Sequence, residues 1–443
     1  MKYLFIMFMF IAVVMLTACR AETPDAQASI TITYANWNLG PDRDNALEIQ
    51  MLQAFMNEYP HIYVSIDELV SPPWTDSLAA AAGSGNLPDV FMIDDLGHMA
   101  ANGWLKDITA LAAADEDFRL LPGIIQEATR TRGAVYALPF ALRYHGYFVN
   151  QQLLGEFGLA AAYFGMSAAD FLWAVRYTTD LNRPSIGVNQ SFSLVDWYPG
   201  AVNPYMSFFG FDGFGFALDS PQMREAVSIA AELHSLGHTF EGLDTYTQRG
   251  TFPSGYGLGA FLDGQMAFFY GGSWLLGRMI NQANFEWDFI GTPGGRAVVA
   301  LEIVGISHTT SYPEEAFKLA SWMGHGTNGN LHRLSLAEEL GTAIESLPVT
   351  QNPYVLAKLM QIIPSYGLQY IYAAMDRVLL DGQRINPGYM HARFLTPTGV
   401  DIPGYAIVGV DHVMRHSIMG NLYYPEHSAT LEDIVRRQLE AAE

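Results

Sequence analysis

Residues 4–16 are an unbroken apolar run behind Lys2, the pattern of a segment that enters a secretion channel. The run is shorter than the roughly 18 apolar residues that a comfortable membrane span takes. Further along, the hydrophobic positions become periodic. Ile30, Ile32 and Tyr34 alternate with Thr31 and Thr33, which predicts a strand. Asn45 followed by Glu48 makes a capping box, and Leu47, Met51, Phe55 and Tyr59 then recur at helical spacing. Residues 62–66 predict a second strand, and 89–93 a third that stays apolar until it meets Asp94 and Asp95. Buried strands alternating with a helix predict an α/β unit around a mainly parallel sheet.

The middle of the chain repeats this style. Residues 147–149 predict a short strand leading into a helix at 151–157, with another helix at 168–178. A third is expected at 221–236, with Ser220 as N-cap, Pro221 at the first helical position and Gly237 as stop. Residues 265–270 read as a strand that delivers Gly271, Gly272 and Trp274 to the next element. The stretch 381–428 is rich in Gly, Pro and Tyr and reads as loop with short elements. The chain closes on an expected helix at 430–441, with Leu431, Ile434, Val435 and Leu439 on one face.

The 443 residues suffice for two or three domains, and 50% hydrophobic with 15% charged residues marks a globular chain. A formal charge of −22 excludes nucleic acid and acidic membrane surfaces as partners. Cys19, the one cysteine, closes Leu16-Thr17-Ala18-Cys19 and leaves no partner for a disulfide. That tetrapeptide resembles a bacterial lipobox. The resemblance implies a signal peptide at 1–18, lipidation of Cys19 and a tether at 19–29, the alternative being an uncleaved anchor. The protein is then extracytoplasmic and meets the cell membrane through its lipid alone. His234 and His238 stand four apart, but Gly237 between them favours a helix end over a metal pair. Tyr423-Tyr424 with His427 is a weak ferric-iron signal, and no metal or cofactor is expected.

Several phrases in order resemble family 1 of the extracellular solute-binding proteins, the sugar-binding components of bacterial ABC importers. They are Gly85-Asn86-Leu87-Pro88-Asp89-Val90, Gly133-Ala134-Val135-Tyr136-Ala137-Leu138-Pro139, residues 261–267 running into Gly271-Gly272-Ser273-Trp274, Thr292-Pro293-Gly294-Gly295, Gly305-Ile306-Ser307 and residues 313–319. The resemblance implies a two-lobed periplasmic-binding-protein fold of type II, each lobe a mainly parallel sheet flanked by helices, with a hinge between. Lobe 1 is expected at 30–140 and 296–350, lobe 2 at 141–295 and 351–443. It further implies a monomer that catalyses nothing, takes a carbohydrate ligand and serves the transmembrane subunits of an ABC permease.

A sugar site needs flat aromatic surfaces for C–H faces and planar polar groups for hydroxyls. Asn36 and Trp37 follow the first strand, and Asp94 and Asp95 the third, one of this pair being an expected helix N-cap. Similarity to the maltose-binding branch adds Arg143, which stands where that branch has a ligand-contacting carboxylate and so argues against maltodextrin. It also adds Asn203 and Tyr205, Gly272 beside a stacking Trp274, and Tyr370. The structural alternatives are core packing for Trp274, sheet cover for Trp37 and a hinge ion pair for Arg143. The functional alternatives are a polyamine or glycerol phosphate in the same fold, or a secreted carbohydrate-processing enzyme.

Overall fold

The computed structural model describes residues 30–39, 47–244, 248–386 and 388–442. Cys19, the apolar leader and Asn45 of the expected capping box lie outside them. Nine strands form one sheet: β1 (Ile30–Ala35), β2 (Ile62–Ile66), β3 (Val90–Ile93), β4 (Ala137–Asn150), β5 (Ile186–Val188), β6 (Met266–Gly272), β7 (Trp287–Phe289), β8 (Val298–Ile306) and β9 (Leu379–Leu380). Their order is β2-β1-β3-β8-β4-β6-β5, with β9 beside β8 and β7 beside β4. The parallel pairing that the pattern predicts is present at β1–β2, β1–β3 and β5–β6. Antiparallel pairs arise where β8 and β4 join the two halves.

β4 is the element that makes the molecule two-lobed. Its 14 residues extend about 46 Å at 3.3 Å per residue, long enough to belong to both halves. Every residue along it is buried except Arg143 and His145. These stand two apart, hence on one face, and are matched across the ladder by Ala300 and Val298 of β8. A polar pair at period two in an otherwise apolar strand marks the place where the sheet is uncovered. The β4–β8 register slips between Glu302 and Ile303, a bulge beside the crossing. Gly146 follows this half-buried pair, and a Cβ there would meet the Gly291 carbonyl oxygen at 2.5 Å. Only glycine allows that approach.

Two apolar cores flank the sheet. One contains Ile32, Phe55, Phe91, Phe140 and Ile303, and the other Tyr147, Phe171, Trp197, Val413 and Val435. Helix Pro353–Ile362 packs on helix Thr327–Leu340, and Tyr366–Ala373 lies beside β7. The expected helices at 151–157, 168–178 and 221–236 are Gln151–Glu156, Ala168–Tyr177 and Pro221–Ser235, the last capped by Ser220. Within 381–428 the chain forms a turn of π-helix, His391–Leu395, and a helix, Val410–Ile418.

Candidate functional site

The C-terminal ends of β1, β3, β5 and β6 point toward the uncovered face of β4, which is where ligands of open α/β sheets bind. Glu302 organises one wall. It is the single charged residue of β8 and is buried, and its carboxylate accepts from Trp37 Nε1 at 3.2 Å, from Asn38 Nδ2 at 3.2 Å and from Arg143. Arg143 Nε lies 3.2 Å from Glu302 Oε1, and Nη2 donates to Asn38 Oδ1 at 2.9 Å. Asn36 supports the turn from below, its Oδ1 accepting from the Asn38 amide at 2.7 Å. Arg143 is therefore a paired arginine that holds Trp37 and Asn38 in place through Glu302.

Trp37 meets Trp74 edge-on at 5.1 Å and lies 5.5 Å beneath the Arg384 guanidinium. Arg384, Asp94 and Asp95 line a cavity of about 470 Å³. Asp95 is the N-cap of helix Leu96–Ala101, accepting from the His98 amide at 2.9 Å, and burial raises its pKa. Asp94 accepts from the Thr75 hydroxyl through Oδ2, and among the described residues its Oδ1 has no partner. Among the described residues the Arg384 side chain has no hydrogen-bond or ion-pair partner, and its Nε is buried.

His145 and Trp274 face each other at 5.1 Å with rings near perpendicular. Trp274 is 38% exposed, so one side of its ring is open to solvent. It sits against Gly272, where a Cβ would come within 2.0 Å of the indole. Substituting Gly272 by Ala is expected to push the indole aside and weaken ligand binding about fivefold or more, since such stacking is worth on the order of 1 kcal/mol beyond area burial. Calorimetric titration would check this; unchanged affinity would remove Trp274 from the site.

Burial, with Arg384 and then Arg143 nearby, pushes the His145 pKa down to about 4, so the ring is neutral at pH 7. The unfolded chain takes up that proton near pH 6.5 and the folded one only near 4. Stability from neutral His145 is thus complete above pH 6.5 and lost as pH falls toward 4. Wild type should lose more melting temperature than H145Q between pH 7 and pH 5. Equal losses would refute the depressed value.

A second cavity, of about 350 Å³, opens beside His145 and shares Gln383 with the first. Arg393 anchors it: Nε donates to Asp411 at 3.1 Å, Nη1 to the Tyr389 hydroxyl at 2.7 Å and Nη2 to Asp196 at 2.9 Å. Its guanidinium packs 3.9 Å from the Phe209 ring, whose backbone is held at φ 56°. Burial raises the Asp196 carboxyl to about 6 against the pull of Arg393.

The cleft thus gathers Asn36, Trp37, Asp94, Asp95, Arg143, Gly272 and Trp274. Asn203, Tyr205 and Tyr370 line neither of these two cavities. Asn203 caps the C-terminal end of helix Leu194–Val202, and Tyr205, 86% exposed, lines a third cavity of about 660 Å³, which has Glu127 and Arg130 on one side and Asp212 and Arg296 on the other. Gln190 and Phe192, just before the N-terminal end of that helix, line the second cleft cavity instead. Nine helical residues, about 13 Å, separate the two ends. Tyr370 is 60% exposed on helix Tyr366–Ala373, while its neighbour Tyr372 is buried with its hydroxyl on Pro348. The Tyr424 hydroxyl donates to the Leu218 carbonyl at 2.8 Å, a structural role.

Glu302, His145, Gln190, Arg384 and Arg393 are absent from the residues expected from sequence. Glu302 has a readable signal, a lone carboxylate in the apolar run VVALEIVGI.

Comparison with known proteins agrees with this architecture. The family model described as bacterial extracellular solute-binding protein matches residues 50–345. The melibiose/raffinose/stachyose-binding protein of Bacillus subtilis is 24% identical over 188 residues, a stretch covering 42% of each chain. An ABC substrate-binding protein of Listeria monocytogenes in complex with cycloalternan superposes with TM-score 0.68 at 18% identity, over 93% of this chain and 99% of that one. A cyclic α-maltosyl-1,6-maltose binding protein from Arthrobacter globiformis does so with TM-score 0.67 at 16% identity, over 93% and 100%. These structures share the two-lobed fold. With a family match across about two thirds of its length, the chain belongs to the bacterial extracellular solute-binding proteins.

Proposed function

We propose that this protein captures a sugar or oligosaccharide in the cleft between its lobes and hands it to an ABC permease, without catalysis. The observation that carries this reading is the pairing of aromatic faces with planar polar groups around one uncovered strand. Trp37 and Trp274 offer the faces; Asp94, Gln190, Gln383 and Arg384 offer the polar groups. Saccharides are also what the named relatives bind. Lobe 1 is taken as 30–140 with 296–350, and lobe 2 as 141–295 with 351–443. Ligand contacts made to both lobes at once favour the closed form, which differs from the open one by a few kcal/mol. Arg143 does not argue for glycerol phosphate, because it is already paired with Glu302, and Arg384 is the cation that alternative would have to use.

Thermal shift on a soluble form starting at Ala21, screened against mono- and oligosaccharides, polyamines and glycerol phosphates, tests the reading. A true ligand at a hundredfold over its dissociation constant adds about 2.7 kcal/mol. A shift with no sugar would overturn it, and turnover of any sugar would point to an enzyme. Lipidation at Cys19 makes its own prediction: C19A should move the protein from the membrane to the soluble fraction on cell fractionation. Retention with the membrane would indicate an uncleaved anchor.

A further inference from the structure

The second cleft cavity has a charge imbalance that its own residues do not resolve. Four carboxylates line it, Asp196, Glu241, Asp381 and Asp411, against two arginines. Both arginines are committed. Arg393 spends its donors on Asp196, Asp411 and Tyr389, and Arg415 Nε lies 2.8 Å from Asp411. His145, on the same wall, is neutral at pH 7. Asp381 and Glu241 are left, among the described residues, with no cation within ion-pair distance.

Asp381 is the informative one. It follows β9 directly, and among the described residues its Oδ1 accepts only from the Gln383 amide at 3.1 Å. It lies near enough to Asp196 and Tyr270 that each feels its charge. Burial raises its carboxyl pKa despite Arg393 and Arg384, and burial likewise raises that of Glu241. The hydroxyl of Tyr270 and the side-chain amide of Gln383 line the same cavity, and neither has a hydrogen-bond partner among the described residues. Gln190 accepts from the Ser193 amide through Oε1, and its Nε2 has no partner there. Glu241 is exposed to water, so it is the partly buried Asp381, without a cation and with open polar groups around it, that makes the site, and a charge held among so few waters is costly until paired.

We propose that this cavity receives a protonated amine, so that the ligand is a saccharide carrying a free amino group, an amino-sugar unit. This rests on the sugar-binding reading above and narrows it. The ammonium donates to the Asp381 carboxylate, and ring hydroxyls take Tyr270, Gln383 and Gln190. Phe192, Phe394 and Val298 on the same walls meet the C–H faces.

Calorimetric titration of the full mature protein at pH 7 tests it. The probes are glucosamine, galactosamine and their dimers, each beside its N-acetylated and its neutral hydroxyl counterpart, with raffinose, melibiose and spermidine added. The expected result is at least tenfold tighter binding of the free amine than of either counterpart. D381N should then reduce that preference toward unity. Neutral sugar binding as well as or better than its amine, or D381N weakening both equally, overturns the amino-sugar assignment and leaves sugar binding standing. Spermidine binding with no saccharide binding overturns both. Urea unfolding of D381N at pH 7 separates a lost preference from a lost fold, and E241Q supplies a second variant should D381N prove unstable.

Discussion

Replacing Arg393 with alanine is expected to destabilise the protein by about 3–5 kcal/mol, the usual consequence of removing one partner from a buried ionic cluster. Arg393 is buried and binds Asp196, Asp411 and the Tyr389 hydroxyl, so its loss strands Asp196 and leaves Asp411 to Arg415 alone. It also removes the group stacked on Phe209, which holds a positive φ that non-glycine residues rarely adopt. Urea denaturation of the unliganded protein at pH 7 is the measurement. The loss should shrink near pH 5, because Asp196 already titrates at about 6 and its stranded carboxyl takes up a proton readily. A loss below about 1 kcal/mol, in the range of exposed pairs, would show that water screens the cluster.

Trp274→Ala is the second large effect, and it falls on binding rather than folding. The indole is partly exposed, touches His145 edge-on and covers Gly272, so its removal opens no deep core cavity. Aromatic anchors in a binding site commonly contribute about 2 kcal/mol or more, which is roughly thirtyfold in affinity. The sugar identified by thermal shift should therefore bind W274A at least thirtyfold more weakly, with the urea midpoint nearly unmoved. Parallel loss of both would recast Trp274 as a packing residue.

The strands of the first lobe are legible because period-two alternation and apolar runs are local signals. Ile30–Ala35, Ile62–Ile66 and Val90–Ile93 fall where the pattern puts them, and Asp95 caps the helix that follows. Trp37, Asp94 and Trp274 were also within reach, since each comes directly after a strand. Asn203 and Tyr205 show the limit of phrase matching. A displacement by the length of one helix is invisible to a short motif and moves a residue from one cavity to another. The cluster on Arg393 is illegible for a different reason. Asp196 stands 197 positions away in sequence, and no local rule announces such a pair. Glu302 required asking why an apolar strand should carry one carboxylate; its partners Trp37, Asn38 and Arg143 come from two other segments.

The position of β8 bears on the order in which this chain can become native. β8 fills the gap between β3 and β4, yet is made long after either. A chain emerging from its N-terminus leaves β3 with an unpaired edge until residues 298–306 have appeared. Such long-range closure is slow, because the intervening loop must lose its entropy before the ladder repays it. The first lobe therefore cannot lock until residue 306 of 443 has been made. That delay keeps the polypeptide threadable, which is what passage across a membrane before folding demands of an extracellular protein.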